Sequence, residues 1–453
     1  MKTFVSFSSA DRPVAERFVE LLRLHYIDFF YSHRTLKGGY FAEDIANAIR
    51  ECQKFIVLVS PNSLASEWVR KEVAMAMNSP HLRGRVLPVL IAETPGWEQL
   101  HADIHKLQKF DYYRDPAEVE TRIIEQEFNR PRHKHPYYKV GDVEIQVLMF
   151  VGGDGVTRFD HGDIVCDGPT DARRYVVPPD IQQDAERRIA QITADCNARG
   201  KMFVNNPQVR LWDATWGGAS ASGGLTNKPL RLKLGWTEYF HTRLTNQERH
   251  YVLPDGQSIA LKYGRELDDL LDSGLSNPIA TNMSVVTSDN MIYLSTRSKK
   301  VAWNAGEFQP AVGGDGQRED LDETGRYDPF RTAIREAQEE CTGRYRPSLE
   351  EVVFFGLART MGTQFPFLFG ELRLKIDSTE LDALVPLNPF EGQKFKIPFS
   401  VDGVCDWVLQ YHRDHFEGRR GGVIGTTLFS LLQSLHYAYP DRWGEVVKRL
   451  SRS

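Results

Sequence analysis

The sequence predicts a multidomain chain, with an N-terminal α/β unit built on a parallel sheet and a C-terminal α+β region. Three observations carry this. The chain has 453 residues, more than one hydrophobic core usually serves. Its first third alternates short apolar runs with helical-period segments, as parallel sheets with crossover helices require. Its remainder segregates strand runs from helices instead. Hydrophobic residues make up 41% and charged residues 26%, the balance of a globular protein. The formal net charge of -5 argues against direct nucleic-acid binding. The five cysteines are scattered, without a Cys-x-x-Cys pair, so a reducing compartment is expected. No apolar run approaches the ~18 residues of a membrane span and no secretory signal is evident, so a cytoplasmic protein is expected.

The elements follow in order. "TFVSFS" (3–8) reads as a strand, and 13–25 as a helix with Asp11 and Pro13 at its start. "IDFFYS" (27–32) is a second strand and 40–52 a second helix. "KFIVLVS" (54–60) is nearly all apolar, like a strand covered on both faces. A helix over 62–78 follows, with Asn62 and Ser63 as candidate caps. "RVLPVLI" (85–91) and "KFDYY" (109–113) read as strands, and 116–128 as the closing helix. The basic, proline-containing stretch 130–142 reads as a linker. Residues 143–274 read as an extension, with a strand at 143–153, a helix over 181–199 and a flexible loop at 216–229. Residues 275–453 carry strands around 283–297 and 352–358 and helices near 328–342, 401–415 and 424–450.

In open α/β sheets, ligands bind beyond the carboxyl ends of the strands. There this sequence places Ser8 and Ser9, the loop 32–41 with its Gly38–Gly39 pair, and Ser60–Ser63. The helix that follows carries Trp68 and Glu72 one turn apart. Such a pair shares a helix face. A tryptophan would ordinarily mark the buried side, where a glutamate is out of place. Glu72 is therefore either a solvated residue at the edge of the stripe or part of a site.

Four stretches, "FVSFSSADR", "FFYSHRTLKGGYFAEDIANAI", "FIVLVSPNSLASEWVRKEV" and "RVLPVLI", stand in the order and spacing of a TIR domain. Residues 1–129 resemble that family, and "SPNSLASEWVRKEV" is similar to its NAD-consuming members. The resemblance implies a flavodoxin-like fold and an enzyme that cleaves the nicotinamide–ribose bond, with NAD+ as substrate. Glu72 matches the catalytic glutamate and Trp68 the aromatic residue before it. Residues 32–41 match the BB loop, with Gly39 at its turn and Phe41 at the start of the next helix. Ser8, Ser9, Gly39, Phe41 and Trp68 are thus the expected substrate-binding residues. Positive charge develops on the ribose as nicotinamide leaves, and a carboxylate stabilises it. One glutamate suffices, because nicotinamide departs without a general acid. The adaptor role of other TIR domains, and synthesis of a cyclic ADP-ribose signal, are the alternatives within the family.

The helix over 328–342 contains Arg335, Glu336, Glu339 and Glu340. Its glutamates share one face, which fits either a Mg²⁺–pyrophosphate site or a solvated helix with an Arg335–Glu339 pair. The segment resembles the second half of a Nudix box. It departs from the pattern in a longer loop between Gly314 and Arg335, in Tyr327 where the first box glutamate belongs, and in the placement of Gly343. These departures point to a Nudix-like domain that binds a nucleotide without cleaving it, with a nucleotide pyrophosphatase as the alternative. Together the resemblances imply a prokaryotic antiviral effector. A small nucleotide or ADP-ribose-like activator would be sensed by 275–453, TIR domains would self-associate, and NAD+ would be depleted. No membrane partner is expected.

Overall fold

The computed structural model describes residues 3–25, 27, 29–31, 41–130, 138–198, 200, 203–217, 229–264, 270, 273–296, 308–387, 393–416 and 425–451. Residues 416–419 aside, the chain divides into two compact units, 1–132 and 133–453.

In the first unit, β1 (Thr3–Ser6) leads into α1 (Arg12–Leu24), β2 (Phe29–Tyr31), α2 (Phe41–Glu51) and β3 (Lys54–Val59). Then come α3 (Pro61–Ala65), α4 (Glu67–Asn78), β4 (Val86–Leu90) and α5 (Pro116–Arg122), which a wider π turn continues over Ile123–Glu127. The strands form a parallel sheet in the order β2-β1-β3-β4. Residues 55–59 of β3 are all fully buried, which a central strand covered on both faces demands. Phe18, Leu22, Val119 and Ile123 cover one face of the sheet, and Ile45, Ile49, Val69 and Val73 the other.

Three local departures from the sequence reading have physical causes. The expected strand at 109–113 shrinks to a single bridge between Phe110 and Val89. The expected helix over 62–78 breaks at Ser66, whose backbone is extended (φ -83°, ψ 112°). There the Ser66 hydroxyl accepts from the Val69 amide at 3.4 Å and starts α4 afresh. Finally, Ser60 rather than Asn62 or Ser63 caps α3, in a reciprocal box with Ser63.

The second unit begins with a hairpin of β5 (Tyr138–Val140) and β6 (Val143–Ile145), so a strand lies inside the segment read as a linker. It continues with β7 (Val147–Gly152), β8 (Ile164–Thr170), β9 (Pro207–Thr215), β10 (Leu230–Glu238), β11 (Ala280–Val286) and β12 (Met291–Thr296). The last strands are β13 (Phe308–Pro310), β14 (Val312–Asp315), β15 (Val352–Thr360), β16 (Pro366–Arg373) and β17 (Lys394–Pro398). One small sheet has the order β8-β10-β9. The large sheet runs β13-β12-β11-β16-β15-β7, with β14 on β11 and β17 on β12. Its pairings are antiparallel except β11 with β16. Thus β7, from the stretch before 275, lies in the same sheet as strands from after it. Phe330, Ala333 and Ala337 of the helix Pro329–Ala337 enter one core cluster. Val404, Phe429, Leu432 and Val446, from the three C-terminal helices, enter another. Among the described residues no helix is long and apolar enough to cross a membrane.

Candidate functional site

Strands β1 and β3 are neighbours and parallel, so the segments leaving their carboxyl ends lie side by side. The first segment turns at Ser9–Asp11, where the Asp11 amide donates to the Ser8 carbonyl at 2.8 Å. Asp11 is nearly buried and ties the two segments together. It accepts from the Ser60 hydroxyl at 2.5 Å and from the Asn62 amide nitrogen at 2.8 Å. Ser8 is buried and Ser9 exposed.

Helix α4 lies against β1 and β3 through Val69, Val73 and Ala76. These residues recur at i, i+4 and i+7, the stripe of an amphipathic helix. Glu72 falls within that stripe and is 3% exposed. Its carboxylate accepts a hydrogen bond from the Ser6 hydroxyl at 2.5 Å, at the carboxyl end of β1. Burial pushes the Glu72 carboxyl up to about 7, and the Ser6 hydroxyl works against that rise. The environment of the pair is thus reversed from the sequence expectation. Trp68, expected on the buried face, is 43% exposed, with the Lys71 ammonium 5.6 Å from its ring centroid. Glu72 is the interior member. Gly39 lies outside the described residues, as does the side chain of Phe41.

Sequence reasoning missed Ser6, and it placed Asp11 at the start of the first helix without making it a site residue. The available signal for Ser6 was a hydroxyl inside the otherwise apolar run Phe4–Phe7, facing a helix that carries an acid.

A family model described as a TIR domain matches residues 3–124. Residues 3–124 are a TIR domain. No curated protein matches the chain. Among solved structures, protein DR0079 from Deinococcus radiodurans matches at 14% identity, over 39% of this chain and 83% of that one. Its TM-score is 0.21. Within the TIR domain, Glu72 is a buried acid with a nearly neutral titration point, beside the ends of two parallel strands. Perturbed groups of this kind concentrate at functional sites.

In the second unit, Asp328 caps the helix Pro329–Ala337 by accepting from the Phe330 amide at 3.0 Å. Arg335 is the hub of the predicted cluster. It donates to both carboxylate oxygens of Asp320, at 2.8 and 3.0 Å, and to Glu336 at 2.7 Å. Glu339 lies at 3.4 Å, and the Asp315 carbonyl accepts at 3.2 Å. Glu336 is 6% exposed, and burial pushes its carboxyl up against the pull of Arg335. Its carboxylate packs onto Gly314, where a Cβ would meet Glu336 Oε1 at 1.9 Å. Glu340 turns away to accept from the Gly313 amide at 2.7 Å. The expected Arg335–Glu339 pair is therefore present, but the helix is not simply a solvated surface, since Glu336 beside it is buried. The sequence reading sought an acid at position 327. Tyr327 is buried there, and the acid facing Arg335 is Asp320.

A Mg²⁺ site would need several carboxylates converging on one point. Among the described residues no group of three or more His, Cys, Asp or Glu side chains is arranged to hold a metal. Arg335 and the Gly313 amide engage these glutamates. The donor set as arranged does not fit the ion.

Proposed function

We propose that the TIR domain cleaves the nicotinamide–ribose bond of NAD+, and that Glu72 is the catalytic carboxylate. The observation that carries this is the burial of Glu72 on α4 with its carboxylate held by Ser6. A carboxylate in a low-dielectric site stabilises an oxocarbenium-like ribose far better than a solvated one. The cost is a raised titration point, which the cationic nicotinamide ring and the developing sugar charge lower again when substrate is bound. Ser6 fixes the carboxylate, while Ser8 and Ser9 at the carboxyl end of β1, with Gly39, Phe41 and Trp68, form the substrate-binding surface. The loop 32–41 completes it on self-association of TIR domains. The second unit acts as receptor for a small nucleotide or ADP-ribose-like activator through its Nudix-like helix. NAD+ depletion is then the antiviral output.

The test is incubation of the full chain with NAD+ and analysis of products, with and without extracts of phage-infected cells. Release of nicotinamide that is lost in Glu72→Gln supports the proposal. Absence of NAD+ loss under every condition favours an adaptor, and a cyclised ADP-ribose product favours a synthase.

A further inference from the structure

Glu72 is held from two directions, and its bond to Ser6 is only one of them. Ser6 is the last residue of β1, and Asp11 ends the short turn that follows. The Asp11 carboxylate faces the start of α3. There the Ser60 hydroxyl donates to its Oδ2 at 2.5 Å and the Asn62 amide nitrogen to its Oδ1 at 2.8 Å. Asp11 is 9% exposed, so little water competes for these bonds. A carboxylate with a donor on each oxygen is a firm anchor, because hydrogen bonds to charged groups are the strong ones.

The anchor is passed on to α4. The Ser60 hydroxyl that donates to Asp11 also accepts from the Ser63 amide at 3.1 Å, and the Ser63 hydroxyl donates to the Ser60 carbonyl at 2.8 Å. At the break between the helices, the Ser66 amide donates to the Ser63 carbonyl at 3.2 Å, and the Ser66 hydroxyl accepts from the Val69 amide. From α4, Arg70 Nε reaches back to the Leu64 carbonyl at 2.8 Å. α3 and the first turn of α4 are thereby joined into one piece. Glu72 stands about 9 Å along the helix from Ser66. Its bond to Ser6 returns the path to β1. Val69 and Val73 press α4 onto the sheet, but apolar contacts are non-directional. The polar circuit fixes where along β1 the helix sits.

We propose that Asp11 is a positioning residue for Glu72: by holding the start of α3 against the end of β1, it sets the place at which the Glu72 carboxylate meets Ser6. Among the described residues, burial and the Ser6 hydroxyl are what shift the Glu72 carboxyl, so its titration reports that placement. Asp11 acts through the hydrogen bonds it accepts and not through contact with substrate. Its effect on turnover rests on the reading of Glu72 as the catalytic carboxylate; the positioning itself does not.

The test is a double-mutant cycle on the full chain. The Glu72 titration is followed by NMR of carboxyl-labelled glutamate, its signal identified by its absence in Glu72→Gln. Ser6→Ala should move the titration point by about one pH unit in the wild-type background. In an Asp11→Ala or Ser60→Ala background it should move it by less than about half as much, because the bond it removes is already displaced. Asn62→Ala removes one of the two bonds from the exposed side. It should weaken the coupling in the same sense, and it keeps the comparison open where Asp11→Ala does not fold. Asp11→Asn should restore the wild-type shift, since its carbonyl can accept from Ser60 and its amide can donate to Asn62 once the Asn62 amide turns over. With NAD+, kcat should fall about tenfold or more in Asp11→Ala and stay within about threefold in Asp11→Asn, as expected for a displaced catalytic group. An equal Ser6→Ala shift in every background overturns the proposal, whatever the turnover. Lost coupling in a chain that cleaves no NAD+ supports the positioning and ends the activity reading instead.

Discussion

The Ser6 hydroxyl donates to the Glu72 carboxylate at 2.5 Å across 66 positions of sequence, joining the first strand of the TIR domain to α4. This bond lowers the pKa of an acid that burial raises. A hydrogen bond to a charged group contributes about 1.5–3 kcal/mol, and one pH unit corresponds to about 1.4 kcal/mol. Ser6→Ala should therefore move the acidic limb of the NAD+ cleavage profile upward by about one pH unit or more. Maximal turnover on the alkaline plateau should change much less. The check is kcat/KM against pH for both proteins. An unshifted limb with uniformly lower activity would mean that Ser6 merely packs.

Glu72→Gln separates catalysis from stability. Removing the charge should lower NAD+ cleavage by about two to three decades, as loss of a transition-state electrostatic contact does. The stability change has the opposite sign. The Glu72 carboxyl titrates near 7 in the folded chain against an ordinary value of 4.5. Between those values the folded state keeps a proton that the unfolded chain has released, so stability falls as pH rises through the window and levels off above it. The glutamine variant lacks this fall. It should be more stable than wild type at pH ~8 by on the order of 3 kcal/mol and equal to it at pH ~4. Thermal melting at the two pH values checks this. A variant that is less stable at both would argue that Glu72 is structural.

The fate of Trp68 and Glu72 shows what the sequence could and could not reveal. At about 100° per residue, Val69, Val73 and Ala76 centre the buried arc of α4. Glu72 lies about 40° from Ala76, inside the arc, while Trp68 lies at its edge in the first helical turn. The stripe was legible; reading the helix from its tryptophan hid it. Parallel strands such as β3 were legible because burial on both faces leaves an unbroken apolar run. β5 was not, since Tyr138–Val140 is short and lies in a basic, proline-containing stretch. Nor was the pairing of β7 with β15, because two strands roughly two hundred residues apart leave no local trace of their register. Asp320 was missed for a similar reason. The turn over Arg318–Asp320 returns it to Arg335 by a route that no helical or strand period encodes.

Asp320 and Arg335 form a buried ion pair that can be broken from either side. Asp320 is 1% exposed at its side chain and Arg335 20%. Removing one partner of such a pair costs about 3–5 kcal/mol. The two sides should differ. Asp320→Asn leaves Arg335 with Glu336 and Glu339, whereas Arg335→Met leaves Asp320 and Glu336 buried without a cation. Arg335→Met should therefore be the more destabilising in urea titrations, and should gain stability as pH falls and the buried Glu336, whose carboxyl burial already pushes up, takes a proton. Equal losses with no pH dependence would show that the pair contributes little beyond packing.

Removal of divalent cations decides the role of the Arg335 helix. A hydrolase of the Nudix kind needs carboxylates converging on a metal, whereas here Arg335 holds Glu336 and the Gly313 amide holds Glu340. A receptor needs differential affinity instead, for a ligand shifts an equilibrium only by binding one state more tightly. Moving the TIR domain from ~1% to ~99% active takes ~10⁴-fold preference, about 5.5 kcal/mol, which several phosphate and base contacts can supply. Chelation should therefore leave activator-dependent NAD+ cleavage unchanged within about twofold, a difference of less than ~0.5 kcal/mol. Glu336→Ala with Glu339→Ala and Glu340→Ala should weaken activation without abolishing it. Incubating the full chain carrying Glu72→Gln with ADP-ribose and Mg²⁺ isolates the second unit from TIR turnover. Rapid cleavage of ADP-ribose there, lost on chelation and in the triple variant, would make the helix a pyrophosphatase and end the receptor reading.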